Sequence, residues 1–243
     1  MDQISMKFEK IENSAFLPFY TNELWAISRS IVSLGKQLYN TKLYLNYIKD
    51  KNIRELSPTS ETHEIISLIL SLTSRLDKLL RASSRRENED DEAYQFRKDR
   101  CDFLRNNFLP KKKKTHEIFK SNIRNAIEHF DERLDLMCNQ IISQNQSINT
   151  KTLFCNQTIT NINIFNDRWE YILPFKVFVI NTGEYFMTDK DFEKQSILIY
   201  TILDEAHKLE QKCYEWSASG RDINGNFAEN PSGQLKIPPH QVD

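Results

Sequence analysis

Four long stretches of this chain place apolar residues three and four apart, the spacing of one face of an α-helix. In the first, Leu24, Ile27, Ile31, Leu34 and Leu38 carry the pattern. It predicts a helix over roughly 13–50, and Gly35 does not end it, because Leu38, Tyr39, Leu43, Tyr44 and Tyr47 continue the series. Pro58 disfavours helix at Ser57, and Ser60 with Glu64 offers a cap for the next one. That second helix, roughly 61–82, is apolar over a wide face (Ile65, Ile66, Leu68, Ile69, Leu72, Leu76) and belongs at the centre of a bundle. SSRRENEDDE, residues 83–92, reads as a solvated turn. A third helix, roughly 91–107, holds Tyr94, Phe96, Cys101, Phe103 and Leu104. Pro110 and the run Lys111–Lys114 interrupt the pattern, and a fourth helix is expected from near Thr115 to about Gln144.

The texture then changes. Residues 145–160 are rich in Asn, Gln and Thr and read as a loop. TITNINIFNDRWEYIL and KVFVINTGEYFMT are short, β-branched and aromatic, and Asn181-Thr182-Gly183 offers a turn inside the latter. Two to four strands are expected between about 158 and 188. A last helix, capped by Asp189, is expected to run to Trp216. Residues 217–243 hold three of the chain's five glycines and three of its seven prolines, and read as a mobile tail.

The predicted fold is therefore mainly α: an antiparallel four- to five-helix bundle with a small β-meander inserted before the last helix. The expected organisation is a helical bundle over 1–145, the meander and final helix over 146–216 packed on that bundle, and the tail over 217–243. Five glycines in 243 residues argue against a loop-rich sandwich. No G-x-G-x-x-G and no G-x-x-x-x-G-K-[ST] occurs, so neither the dinucleotide fingerprint nor the P-loop is present.

Charge and cysteine usage narrow the classes further. With 33 basic and 34 acidic side chains, coating of nucleic acid by bulk charge is disfavoured, although a local basic patch is not. The opening MDQISMKFEK lacks the apolar core of a secretory signal. No run of about 18 apolar residues exists, so no membrane span is expected. Cys101, Cys138, Cys155 and Cys213 stand far apart without a C-x-x-C pair, which favours reduced thiols and a cytoplasmic location over a zinc ribbon. His63-Glu64 and His116-Glu117 lack a second histidine at metal-ligand spacing, so no metal or cofactor is expected.

One segment carries chemistry. In SNIRNAIEHFDERLDLM, residues 121–137, Ile123, Ile127, Phe130, Leu134 and Met137, followed by Ile141 beyond it, alternate spacings of four and three. At about 100° per residue these lie within about 40° of one direction, a seam facing a core. Asn125, His129, Glu132 and Leu136 point the opposite way, and Arg124, Glu128, Asp131 and Asp135 occupy one flank. His129 is thereby kept off the core, Asn125 lies one turn away to fix its tautomer, and Arg124 can reach towards the same space. A guanidinium beside an imidazole suits a phosphodiester. The competing reading is a solvated face in which Glu128 neutralises Arg124.

Arg124-Asn125-Ala126-Ile127-Glu128-His129, with the continuation Phe130-Asp131-Glu132-Arg133, resembles the Arg-polar-x-x-x-His motif of the HEPN superfamily, late in a four-helix run as that family places it. The resemblance covers residues 15–145 by architecture and about ten residues by motif. It implies a metal-independent endoribonuclease working as a homodimer, with two motifs facing across a symmetric cleft, in stress response or phage defence. Arg124 would then stabilise the scissile phosphate, His129 would act as general acid or base, and Asn125 would orient the imidazole. RNA would be the substrate, because the 2′-OH is the nucleophile. A protein antitoxin or regulator is the further partner that such a role implies. Other HEPN-like domains are non-catalytic dimerisation or partner-binding modules, and that is the alternative. Lys111, Lys112, Lys113 and Lys114, beside the motif helix, are the candidate RNA contacts; a solvated loop is the plainer reading.

Overall fold

The computed structural model describes residues 17–50, 60–109, 111, 116–120, 122–128, 132, 134–136, 139, 152–189 and 193–219. Among these are α1 (Leu17–Asp50), α2 (Ser60–Leu80), α3 (Asp91–Phe108), α4 (Asn122–Glu128) and α5 (Ile199–Ser219). Four strands accompany them: β1 (Thr152–Ile159), β2 (Ile172–Val179), β3 (Glu184–Thr188) and β4 (Lys194–Leu198). The protein is thus mainly helical, with a small mixed sheet before its last helix. Among the described residues no helix is long and apolar enough to cross a membrane.

The first three helices fall within a few residues of the periodicity. Ser60 is the first helical residue of α2 rather than the residue before it. The cap of α3 is Asp90, whose carboxylate accepts the Ala93 N–H at 2.7 Å. Asp91 and Glu92 in the first turn add negative charge where the helix dipole favours it. Gly35 lies inside α1, where an added Cβ would meet the Leu203 side chain at 2.7 Å.

The expected continuous fourth helix is broken at its start. Glu117–Phe119 forms a 3₁₀ turn closed by the Lys120 N–H on the Glu117 carbonyl at 3.0 Å, and α4 begins only at Asn122. Side chains from elsewhere recruit this stretch. The Ile118 N–H donates to Glu205 at 3.1 Å, and the Glu117 carboxylate accepts the Leu198 N–H at 3.3 Å. These bonds replace the ladder that a helix from Thr115 would need.

The strand order is β1-β2-β3-β4. β2, β3 and β4 form the antiparallel meander expected, turning at 180–183. Gly183 there has φ of +70° and an ideal Cβ would stand 2.3 Å from the Tyr200 ring, so only glycine fits. Three expectations are corrected. Residues 152–159, read as loop, form β1, which pairs parallel to β2 from Thr152↔Ile172 to Ile159↔Val179. Residues 162–171, read as strand, are 3₁₀-helical, because a parallel neighbour needs a crossover. The last helix starts at Ile199, not near Asp189, because residues 194–198 pair with β3. Asp189 closes the β3–β4 turn instead, its carboxylate accepting the Glu193 N–H at 2.9 Å.

Both faces of β2 are covered, and seven of its eight residues are buried. On one face Ile159, Val177, Val179 and Phe186 form a cluster under Trp169 of the crossover, whose ring meets Phe186 edge-on at 5.2 Å. On the other, Tyr185 meets His63 of α2, and Phe178 meets Tyr200 of α5.

The chain forms two compact units. One comprises residues 1–29, 75–111 and 207–243. It is helical in its described part, with Leu24, Leu80, Cys101, Leu104, Leu209 and Cys213 buried. The other comprises residues 30–74 and 112–206 and contains the sheet and α4. Each unit therefore draws on both of the expected stretches, 1–145 and 146–216. α5 extends to Ser219, and the expected tail from residue 220 onward lies outside the described residues.

Candidate functional site

The motif segment belongs to the unit with the sheet. Its helix, α4, packs against β3 and β4. Ile123 is buried and Ile127 and Leu134 are half-buried, as the seam requires, while Asn125, Glu132 and Leu136 are exposed on the opposite side. Phe130, Met137 and Ile141 lie outside the described residues.

Arg124 departs from the flank position expected for it. It is 4% exposed, and its guanidinium donates to the Ile118 carbonyl at 3.4 Å. The physical reason is the sheet. Packing against two strands widens the covered face of α4 beyond the six-residue seam and takes in the neighbouring position. Asn125 is exposed, so these two motif residues look in different directions. His129 lies outside the described residues, as do Lys112, Lys113 and Lys114; Lys111 is exposed.

A polar cluster holds the segment just ahead of α4. Glu205 of α5 is fully buried, and its two carboxylate oxygens take the His116 Nδ1 and the Ile118 N–H, each at 3.1 Å. The buried Glu117 pairs with Lys120 at 2.7 Å while accepting from Leu198. Arg124 adds its bond to the Ile118 carbonyl, so both polar groups of the Ile118 backbone are taken by side chains. A carboxylate that meets an imidazole and an amide in this way orients backbone.

A second buried polar pair was invisible in the sequence. His63 of α2 is 5% exposed, neither ring nitrogen has a hydrogen-bond partner, and the hydroxyl of the fully buried Tyr185 has none either. Their rings lie 5.9 Å apart. Burial and then the Lys176 charge push the imidazole down to about 4; the Asn156 carbonyl works the other way. Asn156 and Lys176 stand opposite one another in β1 and β2, and both have left-handed backbones, with φ of 49° and 54°. His63 therefore sits at a bulge, which neither period two nor period 3.6 can reveal.

Arg97 of α3 is a further residue that no sequence pattern singles out. It grips Glu89 through Nε at 2.8 Å and Nη2 at 2.6 Å, and donates to the Ser83 and Ser84 carbonyls. The loop read as solvated is thereby fixed. The guanidinium holds the Glu89 carboxyl down to about 2. No group of three or more His, Cys, Asp or Glu side chains able to hold a metal ion occurs among the described residues. Cys101, Cys155 and Cys213 are free thiols.

No protein-family model, no curated protein and no solved structure matches this chain.

Proposed function

We propose that this chain is a HEPN-like helical module of the cytoplasm that dimerises or docks a partner and does not itself cut RNA. The observation that carries the reading is the burial of Arg124 against the Ile118 carbonyl. A ribonuclease of this type needs its arginine at the scissile phosphate, where it stabilises developing charge. A guanidinium that is 4% exposed and already bonded to a carbonyl serves packing instead. The bundle of four to five antiparallel helices belongs to this proposal, with α4 as its motif helix. The exposed side of the motif segment, carrying Asn125, Glu132, Asp135 and Leu136, is the surface offered to a second copy or to a protein regulator.

The test is incubation of the purified protein with single-stranded and structured RNA in EDTA, alongside its His129→Ala variant, with mass measurement by light scattering. The expected result is no cleavage and a dimer, or a monomer that captures a defined protein partner. Metal-independent cleavage that leaves 2′,3′-cyclic phosphate and vanishes in His129→Ala would restore the ribonuclease reading. Arg124 would then have to leave its buried position on binding RNA.

A further inference from the structure

The helical unit contains a cavity remote in sequence from the motif. It lies among α1, the last turns of α2, the loop that follows and α3, with a volume of about 750 Å³. That is within the range of small-molecule sites. Its wall carries six cationic side chains, Arg75, Lys78, Arg81, Arg86, Arg97 and Arg100, against two carboxylates. Three of the six are already matched. Arg75 meets Glu23 at 2.6 Å. Arg81 places two nitrogens on the Asp77 carboxylate at 2.7 Å each. Arg97 is committed to Glu89 and the loop carbonyls.

Lys78, Arg86 and Arg100 make no ion pair among the described residues. Arg100 is the most informative. Its Nε is buried without a hydrogen-bond partner, and its Nη2 makes only long contacts, to the Lys78 carbonyl at 3.4 Å and the Cys101 sulfur at 3.3 Å. The Tyr20 ring holds the guanidinium at 4.8 Å. A buried charged donor without an acceptor is costly, and like charges around one cavity repel. An anion with several closely spaced charges removes both costs.

We infer that this cavity is a binding site for an oligophosphate group. One carboxylate would match one of these three cations, of which only Arg86 feels a nearby carboxylate, that of Glu89, whereas a di- or triphosphate matches all three. Planar guanidinium forks and a lysine ammonium are the usual ligands of phosphate oxygens. The site is also built in advance. Arg97 fixes the loop, Arg85 closes it on the Glu89 carbonyl at 2.6 Å and on Asp91, and so Arg86 is held in place without ligand. Ile27, Leu79 and Ala82 give the wall an apolar part that suits the uncharged portion of a phosphate ester. This inference does not rest on the module reading.

The test is calorimetric titration of the full chain with inorganic tripolyphosphate, with ATP as an esterified form and with sulfate at matched ionic strength. Saturable binding of one tripolyphosphate per chain is expected, with no saturable heat from sulfate. The double variant Lys78→Ala/Arg86→Ala changes two exposed side chains, so it should keep its unliganded Tm and bind at least about tenfold more weakly. Arg100→Gln should weaken binding as well. Tighter binding of ATP assigns an esterified ligand and equal binding a free oligophosphate; either supports the proposal. Unchanged tripolyphosphate affinity in the double variant, or the same response to sulfate, overturns it. So does tighter binding of a single-stranded RNA oligonucleotide that the double variant loses, because the wall would then be part of a nucleic-acid track.

Discussion

At the scale of single residues, the behaviour of Arg124 separates packing from chemistry. The side chain is buried, and its head donates to the Ile118 carbonyl. Arg124→Ala should therefore destabilise the protein by about 2 kcal/mol or more, from lost packing plus an unpaired carbonyl. Arg124→Met keeps most of the stem and should cost about 1 kcal/mol. Equal, negligible losses of denaturation midpoint in both would place the side chain in solvent. Glu205 should show a steeper order. Glu205→Leu strips the acceptor from His116 and the Ile118 N–H and should cost about 3 kcal/mol, as removal of one buried partner does. Glu205→Gln retains an acceptor and should cost less; a larger loss for Gln than for Leu would contradict this account. Neither Arg124 nor Glu205 could have been assigned these roles from sequence. Helical phase put Arg124 on a flank, and the distance of 87 residues between Ile118 and Glu205 leaves no local pattern.

At the scale of elements, legibility followed length. α1, α2 and α3 run for 34, 21 and 18 residues, long enough for period 3.6 to repeat several times. β4 has only five residues and passes directly into α5, so Ile197, three residues before Tyr200, reads equally well as part of the helical series that follows. β1 was hidden by composition, since Asn156, Gln157 and Thr158 suit a loop as well as an edge strand. The β2–β3 turn was legible because it carries its own chemistry. Gly183 combines a left-handed backbone with contact to Tyr200, whose hydroxyl donates to the Ile180 carbonyl at 2.6 Å. Gly183→Ala must accept the strained φ and displace that ring, and should cost at least about 2 kcal/mol. Urea unfolding followed by tyrosine fluorescence measures it. A loss under about 0.5 kcal/mol would mean that the turn adapts and that glycine is not required there.

At the scale of the whole molecule, each compact unit contains a group that contributes to how stability depends on pH, His63 in one and Glu89 in the other. His63, in the unit with the sheet, is pushed from 6.5 down to about 4 when folded. Between those values the unfolded chain binds a proton that the folded chain refuses. Stability is therefore complete above pH 6.5 and falls as pH drops towards 4, by on the order of 3 kcal/mol in full. Glu89, in the helical unit, is held from 4.5 down to about 2 by Arg97. Its contribution is present above pH 4.5 and is lost as pH falls through about 2. The two windows barely overlap, so variants can separate them. His63→Phe should flatten the urea midpoint between pH 6.5 and 4 and raise it at pH 5, because an apolar ring then fills a buried site that disfavours the charged imidazole. It should leave the fall below pH 4.5 in place. Glu89→Gln should do the reverse, lowering the midpoint at pH 7 and removing the steepest part of the acid limb. If His63→Phe left the profile between pH 6.5 and 4 unchanged, the imidazole would be titrating freely in the native state, and its place beneath the sheet would be wrong.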